Sequence, residues 1–186
     1  MTAHSRPRSN SRREFLKGLA VAFWLVMSAR SDDTYGKEKT MNPSTMTLWQ
    51  VIDAQPQIIP FTQANVEMLF ATTLSEKRRS THTLFLEGGD VPLAQASRIA
   101  KIDLRLVFEA GDLGFMVLSL DGACISLDQV RRHFEDLQIT EAPRGRSMDE
   151  ETSYSVMMPW GKLSFGFAQR NPNCLASIVF NPQKSQ

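Results

Sequence analysis

Apolar side chains occupy every second position from residue 102 to residue 108, and this alternation constrains the fold more than any other feature of the chain. Successive side chains of a β-strand point to opposite faces, so a period of two places one set on a core and the other in solvent. The apolar set is Ile102, Leu104, Leu106 and Phe108, and between them lie Asp103, Arg105, Val107 and Glu109. The segment is therefore predicted to be a half-buried strand of a sheet.

Other segments repeat this period over shorter stretches. They lie at residues 83–86, 115–120, 154–160, 163–167 and 175–180. Tight-turn sequences such as Asp121-Gly122 follow several of them, and short connections join antiparallel neighbours. The strands are therefore expected to form an antiparallel sheet.

Helical signals lie before and between these strands. Thr62 is placed to cap a helix that runs through Phe70, and Ser126 with Gln129 forms a capping-box pattern. Residues 138–152 are charged, contain Pro and Gly, and are interpreted as an exposed loop. The predicted fold class is α+β, an antiparallel sheet of about six strands with one or two helices packed on one face.

The charge is distributed unevenly along the chain. The net charge is +1, yet residues 1–29 hold five basic side chains and one acidic one, which leaves 16 basic and 19 acidic side chains and a formal charge of −3 in the remainder. The short cluster from Lys77 to Arg79 is interpreted as a solvated loop. Nucleic-acid binding requires several cations that neutralise phosphates, so no nucleic-acid partner is expected.

The N-terminal segment combines a basic stretch with a short apolar run. Residues 18–29 are apolar except for Ser28, whereas a membrane-spanning helix needs about 20 apolar residues. The run is therefore too short for a stable membrane span, but its length and its basic flank are typical of a secretory signal peptide.

The motif before that run is more specific. It resembles the twin-arginine (Tat) export motif S-R-R-x-F-L-K at every defined position, through Ser11, Arg12, Arg13, Phe15, Leu16 and Lys17. The resemblance implies recognition by the Tat translocase, export of an already folded protein, and a periplasmic or secreted location. Cleavage is expected after Ser28 or Ala29, although Met27 departs from the small residue that the pattern prefers.

This interpretation divides the chain into a signal peptide at residues 1–29, a polar linker at 30–45 and one α+β domain at 46–186. Two alternatives remain open from the sequence. In the first, the apolar run is a buried helix of the domain. In the second, translation begins at Met41 and the protein is cytosolic.

The chain has two cysteines, Cys124 and Cys174. An even number of cysteines in an exported domain is compatible with a disulfide, and two buried free thiols are the other interpretation. A catalytic Cys124 would need a histidine beside it, and His82 and His133 are the histidines of the predicted domain.

The sequence predicts no catalytic residues and no metal site, and it identifies no cofactor. The cysteines and histidines lack metal-ligand spacing, and the phosphate-loop, nucleophile-elbow and redox motifs are missing from the sequence. The cluster from Asp149 to Glu151 is interpreted as a solvated acidic loop, since it lacks the spacing of a calcium loop.

Aromatic and basic residues near the C-terminus suggest a recognition surface. Trp160 lies between Pro159 and Gly161 at an expected hairpin tip that would expose the indole, and tryptophan and tyrosine are favoured at interfaces. The candidate surface comprises Tyr154, Trp160, Arg144 and Arg146, although the sequence favours a place in the core for the aromatic residues. The last 60 residues or so, a helix and a three-stranded meander, loosely resemble the α–β–β–β modules of periplasmic assembly lipoproteins and of the β-lactamase inhibitor protein.

Two classes of function follow from these observations. The first is a small exported binding protein (an inhibitor, immunity or accessory factor) that acts on an unknown protein partner. The second is an exported enzyme or a subunit of a cofactor-containing complex. The Tat route suggests this class because it exports proteins that have already folded. The lack of catalytic motifs favours the binding protein, although folds often place catalytic residues without a linear signature.

Overall fold

The computed structural model describes residues 42–184. The predicted signal peptide, its motif and cleavage site, Met41 and most of the predicted linker lie outside the described residues. Residues 43–45, which the sequence placed in the linker, form a short 3-10 helix in which Pro43 is buried.

Two of the three α-helices begin where the capping signals predict them. The α-helices are α1 (Leu48–Ala54), α2 (Gln63–Phe70) and α3 (Leu127–His133), with a 3-10 helix at Gln55–Ile58. Thr62 caps α2, and the predicted capping box of Ser126 and Gln129 starts α3. The α3 helix stops at His133, yet Phe134 beyond its end still packs on Phe165 with ring centroids 5.1 Å apart.

The strands form a single antiparallel sheet. They are β1 (Ser75–Arg79), β2 (Thr83–Gly88), β3 (Val91–Pro92), β4 (Ser97–Val107), β5 (Phe115–Gly122), β6 (Gln138–Glu141), β7 (Glu151–Met158), β8 (Gly161–Ala168) and β9 (Ser177–Pro182). Their order is β1-β2-β4-β5-β9-β8-β7-β6, and β3 pairs with the start of β4.

The α+β class is confirmed, but the number of strands was underestimated. The sheet has nine strands where about six were expected. The strands that the sequence did not predict are β1, β3 and β6: every residue of β1 and β6 is exposed, and β3 has only two residues. A fully exposed strand carries no hydrophobic alternation, so Lys77–Arg79 and residues 138–141 were wrongly interpreted as loops.

The sheet consists of two meanders that meet in its centre. Strands β1 to β5 form the N-terminal half and β6 to β9 the C-terminal half, and the two halves join where β5 pairs with β9. After β5 the chain passes through α3 to the far edge at β6, and then returns strand by strand to the middle.

The core lies between the helices and one face of the sheet. Each of the helices contributes buried side chains to it, among them Val51, Val66 and Val130. The sheet contributes its alternate positions, including Leu104, Leu118, Phe165 and Phe180, which are fully buried. This confirms the predicted packing of helices on one face, with three helices in place of one or two.

A disulfide closes one end of the sheet. Cys124 and Cys174 are bonded, 50 residues apart in the chain. The bond links the segment after β5 to the connection between β8 and β9, so it ties the two halves together. No helix within residues 42–184 is long and apolar enough to cross a membrane.

Candidate binding surface

The face of the sheet that points away from the helices is the first candidate for a binding surface among residues 42–184. It presents the alternate positions that the core does not use, such as Phe85, Arg105, Val117 and Val179, all of which are partly exposed. We refer to it as the open face, because no helix within the described range lies over it.

Tyr154 lies outside this surface, on the core side of β7. It is partly exposed, and its ring meets Phe167 edge-on with centroids 5.7 Å apart. The guanidinium carbon of Arg131 on α3 lies 5.9 Å from the centre of the tyrosine ring. These contacts fix the ring at the border of the core, so Tyr154 serves packing first.

Trp160 occupies the predicted tight turn between β7 and β8, but its indole is not freely exposed. The side chain packs against the core and stacks on Phe180, with ring centroids 6.1 Å apart. Its Nε1 is buried and has no hydrogen-bond partner within the described part of the chain. The indole therefore takes the core position that the sequence favours for the aromatic residues, and not the exposed position that the hairpin tip suggests, because the turn folds the ring back onto β9.

Arg144 and Arg146 are exposed in the connection between β6 and β7. The backbone N–H groups of residues 144, 145 and 146 donate to the Glu150 carboxylate, at 2.5, 2.9 and 3.3 Å. Successive N–H groups of this kind form a concavity that binds anions, and here the protein fills it with its own carboxylate. The connection is therefore held in one shape by Glu150.

The predicted surface is not assembled by the fold. The connection that carries Arg144 and Arg146 enters β7 at Glu151, whereas Trp160 follows the other end of β7 at Met158. A strand of this length spans about 25 Å at roughly 3.3 Å per residue. The arginines and the tryptophan therefore lie at opposite ends of the sheet.

A different set of residues does come together, in the N-terminal half of the open face. Arg78, Phe85, Arg105 and Phe115 occupy paired positions on β1, β2, β4 and β5. The guanidinium carbon of Arg78 lies 3.9 Å from the centre of the Phe85 ring. That of Arg105 lies 5.9 Å from Phe85 and 5.2 Å from Phe115. We refer to these residues as the arginine–phenylalanine row.

The two arginines of the row differ in their partners. Arg105 donates from Nε and Nη2 to the two carboxylate oxygens of Asp103, at 3.2 and 2.8 Å. The hydrogen bonds to Asp103 raise the pKa of Arg105, and they fix the guanidinium between the rings of Phe85 and Phe115. Arg78 makes no ion pair within residues 42–184.

The C-terminal half of the open face contains a group of small hydroxyl side chains, and the longer Met157 and Lys162 lie on the same face. Ser155 donates to Ser164 at 2.7 Å and lies 2.7 Å from the hydroxyl of Thr140, so a chain of hydroxyls crosses β6, β7 and β8. Ser177 donates to the Glu151 carboxylate at 2.5 Å. Both of these groups lie over Gly166, where a Cβ would collide with them.

A cleft lies at the end of the open face where the disulfide closes the sheet. Its volume is about 550 Å³, and polar side chains that line it include Ser119, Asp121, Glu151 and Arg170. Hydrogen bonds from the backbone N–H of Gly122 and from Arg98 hold the pKa of Asp121 below its usual value. Arg170 forms an ion pair with Asp149 at the rim.

The candidate catalytic groups are not brought together. Cys124 is in the disulfide, so it has no free thiol to act as a nucleophile. His133 is exposed and stacks on Trp49 with ring centroids 3.7 Å apart. Its Nδ1 lies 3.0 Å from the carbonyl oxygen of Gln129, an acceptor only, so this nitrogen carries the hydrogen. Residues 42–184 contain no cluster of three metal-ligand side chains.

Comparison with protein-family models, curated proteins and solved structures finds no match to this chain.

Sequence reasoning missed the arginine–phenylalanine row because its members lie far apart along the chain. One signal was present in the sequence. Asp103 and Arg105 are two residues apart in the alternating strand, so their side chains lie on the same, polar face. The partners on β1, β2 and β5 depend on the pairing register, which the local pattern does not contain.

Proposed function

We propose that this protein is a small exported binding protein that acts through protein–protein contacts made by the open face of its sheet. The observation that carries the proposal is the arginine–phenylalanine row, a set of partly exposed rings and guanidinium groups fixed across neighbouring strands. Aromatic and arginine side chains are enriched where proteins bind one another, because they combine apolar area with hydrogen bonds.

The export part of the proposal depends on the twin-arginine motif of residues 11–17 and the apolar run after it. The Tat translocase would be a transient partner, and the α+β domain would act in the periplasm or outside the cell. The disulfide supports this location, because such bonds persist in oxidising compartments.

Export is tested by changing both arginines of the motif to lysine, as R12K/R13K, and following the tagged full-length chain in cell fractions. We expect the variant to stay in the cytoplasm while the unchanged chain is found in the periplasmic or secreted fraction. N-terminal sequencing of the exported product should begin near residue 29 or 30. Equal export of both forms would refute the assignment to the Tat route.

Binding through the open face is tested by a charge placed in its centre. Val179 is partly exposed on β9, opposite Val117 of β5, so Val179→Lys adds a long cation to the open face. Met68→Lys is the matched control, because Met68 is 78% exposed on α2, away from this face.

We expect the control to retain partners captured by cross-linking in a periplasmic extract and Val179→Lys to lose them, with both variants folded by circular dichroism. Retention by both variants would contradict binding through the open face. A purified protein that carries a metal ion or absorbs visible light would favour the cofactor-containing alternative.

A further inference from the structure

We propose that Arg78 is the carboxylate-binding residue of the open face, and that the partner presents to it an acidic protein segment whose neighbouring side chains are apolar. This inference rests on the proposed function of the open face and names the chemistry of its partner. The geometry that points to it is an exposed guanidinium over the ring of Phe85, with Arg105 and then the partly exposed ring of Phe115 on the next two strands.

The first step is the pairing of charges. On the open face of the N-terminal half, strand pairing places three other cations, and each has a carboxylate partner within the described residues. The pairs are Arg98 with Asp90 and Asp121, Lys101 with Glu87, and Arg105 with Asp103. Lys77, at the register shift beside Arg78, has no strand partner in the register and makes no ion pair within residues 42–184. Arg78 lies on the same face and makes no such pair within residues 42–184, so its N–H donors are available to a group from another molecule.

The second step is the orientation of the guanidinium. A centroid distance of 3.9 Å places Arg78 directly over the ring of Phe85. A guanidinium held over a ring can keep the N–H groups at its edge free to bind. A carboxylate accepts two parallel N–H donors from such an edge, and a preorganised fork loses less entropy when it binds.

The third step is the apolar surface around the guanidinium. The rings of Phe85 and Phe115 are partly exposed on either side of Arg105. A carboxylate bound to Arg78 therefore brings the adjacent side chains of its own segment onto aromatic rings. This surface fits a segment in which acidic and apolar residues are interspersed.

The distribution of charge on the open face also favours a protein segment over a nucleic acid as the ligand. Glu87 and Asp103 lie next to the row on the same face, and a phosphate backbone needs several unpaired cations along its path. Because the nearby Lys101 and Arg105 are already paired with carboxylates, isolated carboxylates fit this surface and a polyphosphate does not.

Contact through side chains is favoured over addition of a strand to the sheet. At the edge, β1 is short and charged, and its pairing with β2 shifts register between Glu76 and Arg78. Charged side chains and bulges of this kind disfavour pairing of an edge strand with another chain.

The test uses the full chain and a peptide probe, acetyl-Glu-Leu-Ser-Glu-Leu-Ser-amide, with a control peptide in which glutamine replaces both glutamates. Binding is followed by the ¹⁵N–¹H signals of the arginine Nε–Hε groups during titration. We expect the acidic peptide to shift the Arg78 signal and the backbone signals near Phe85, and the glutamine peptide to leave them unchanged. Equal shifts with both peptides, or no shift with either, would overturn the proposal.

The matched variants are Arg78→Gln and Arg79→Gln. Arg79 lies on the same strand but is paired with Glu76 and is in register with Leu84, on the other face. Loss of a charged hydrogen-bond partner predicts peptide binding at least about tenfold weaker for Arg78→Gln, whereas Arg79→Gln should weaken it about twofold or less. Equal weakening by the two variants would show that the peptide responds to the overall positive charge of the strand. That result would overturn the role of Arg78.

The same variants separate this inference from the proposed function. If capture of partners is lost in Val179→Lys but persists in Arg78→Gln, the open face binds partners and the acidic-segment inference is wrong. If capture persists in both variants, the proposed function itself fails.

Discussion

The two halves of the open face follow the same antiparallel pairing but present opposite kinds of surface. In the N-terminal half, long side chains stand on the sheet as ion pairs and as the arginine–phenylalanine row. In the C-terminal half, Ser155, Ser164 and Ser177 are buried, and their hydroxyls are hydrogen-bonded within the protein.

This difference in side chains indicates which half of the open face is better suited to contact with another molecule. Hydroxyl groups that already hydrogen-bond to one another have few free donors or acceptors for a binding partner. A partner that displaced these hydrogen bonds would have to replace them. A guanidinium on an aromatic ring offers both apolar area and free donors. This contrast supports the proposal that a partner contacts the N-terminal half, whereas the hydroxyls of the C-terminal half bond to one another.

The largest expected effect comes from removing the bond that ties the halves together. In the chain-entropy model, a disulfide between cysteines 50 residues apart stabilises the fold by about 4 kcal/mol. Replacing Cys124 and Cys174 by serine should lower the free energy of unfolding by about this amount in urea titrations. The variant should still fold, since on the proposed Tat route the chain folds before it reaches an oxidising compartment. Unchanged stability after reduction would show that the sheet alone holds the halves together.

The next effect concerns the N-terminal half. Phe85 contacts two guanidinium groups and Phe115 contacts one. Phe85→Leu keeps apolar area but loses both cation–π contacts, so we expect a loss of about 1 kcal/mol in unfolding free energy. Phe115→Leu is the matched control and should lose about half as much. A larger effect at Phe115 would indicate that burial of the rings matters more than their stacking with arginine.

A comparable but smaller effect is expected for the hydroxyl chain of the C-terminal half. Ser155→Ala removes the partner of both Ser164 and Thr140, which should cost about 1 kcal/mol or slightly less. The double variant with Ser164→Ala should cost less than the sum of the two single changes, because the hydroxyls depend on each other. Additive costs in a double-mutant cycle would refute this coupling.

The smallest effect is a pH dependence at the cleft. The folded-state pKa of Asp121 lies below its usual value, owing to the N–H of Gly122 and to Arg98. A lowered folded pKa stabilises the protein above the unfolded pKa of about 3.9, and this contribution is lost as the pH falls through the folded value. The stability difference between the wild type and Asp121→Asn should therefore shrink between about pH 5 and pH 3. A difference that stays constant over this range would contradict the assignment.

Part of this architecture follows directly from local sequence. The alternation around Leu104 predicts β4, and the caps at Thr62 and Ser126 predict where α2 and α3 begin, because each signal acts within a few residues. The exposed strands β1 and β6 escape such reasoning, since a strand without a buried face has no period to detect. The exposure of Trp160 could not be read from its place in a turn for a related reason. A turn position does not reveal whether its side chain points into solvent or folds back onto a neighbouring strand.

The α+β class, the antiparallel character of the sheet and the concentration of basic charge in residues 1–29 can all be predicted from the amino-acid sequence. The contacts of Arg78 with Phe85 and of Cys124 with Cys174 become known only from the folded chain. The two kinds of feature differ in how far apart along the chain the interacting residues lie. Periodicity and capping depend on neighbours within about one or two turns of chain, whereas the pairing register and the return of β9 to β5 depend on how the whole apolar surface is buried at once.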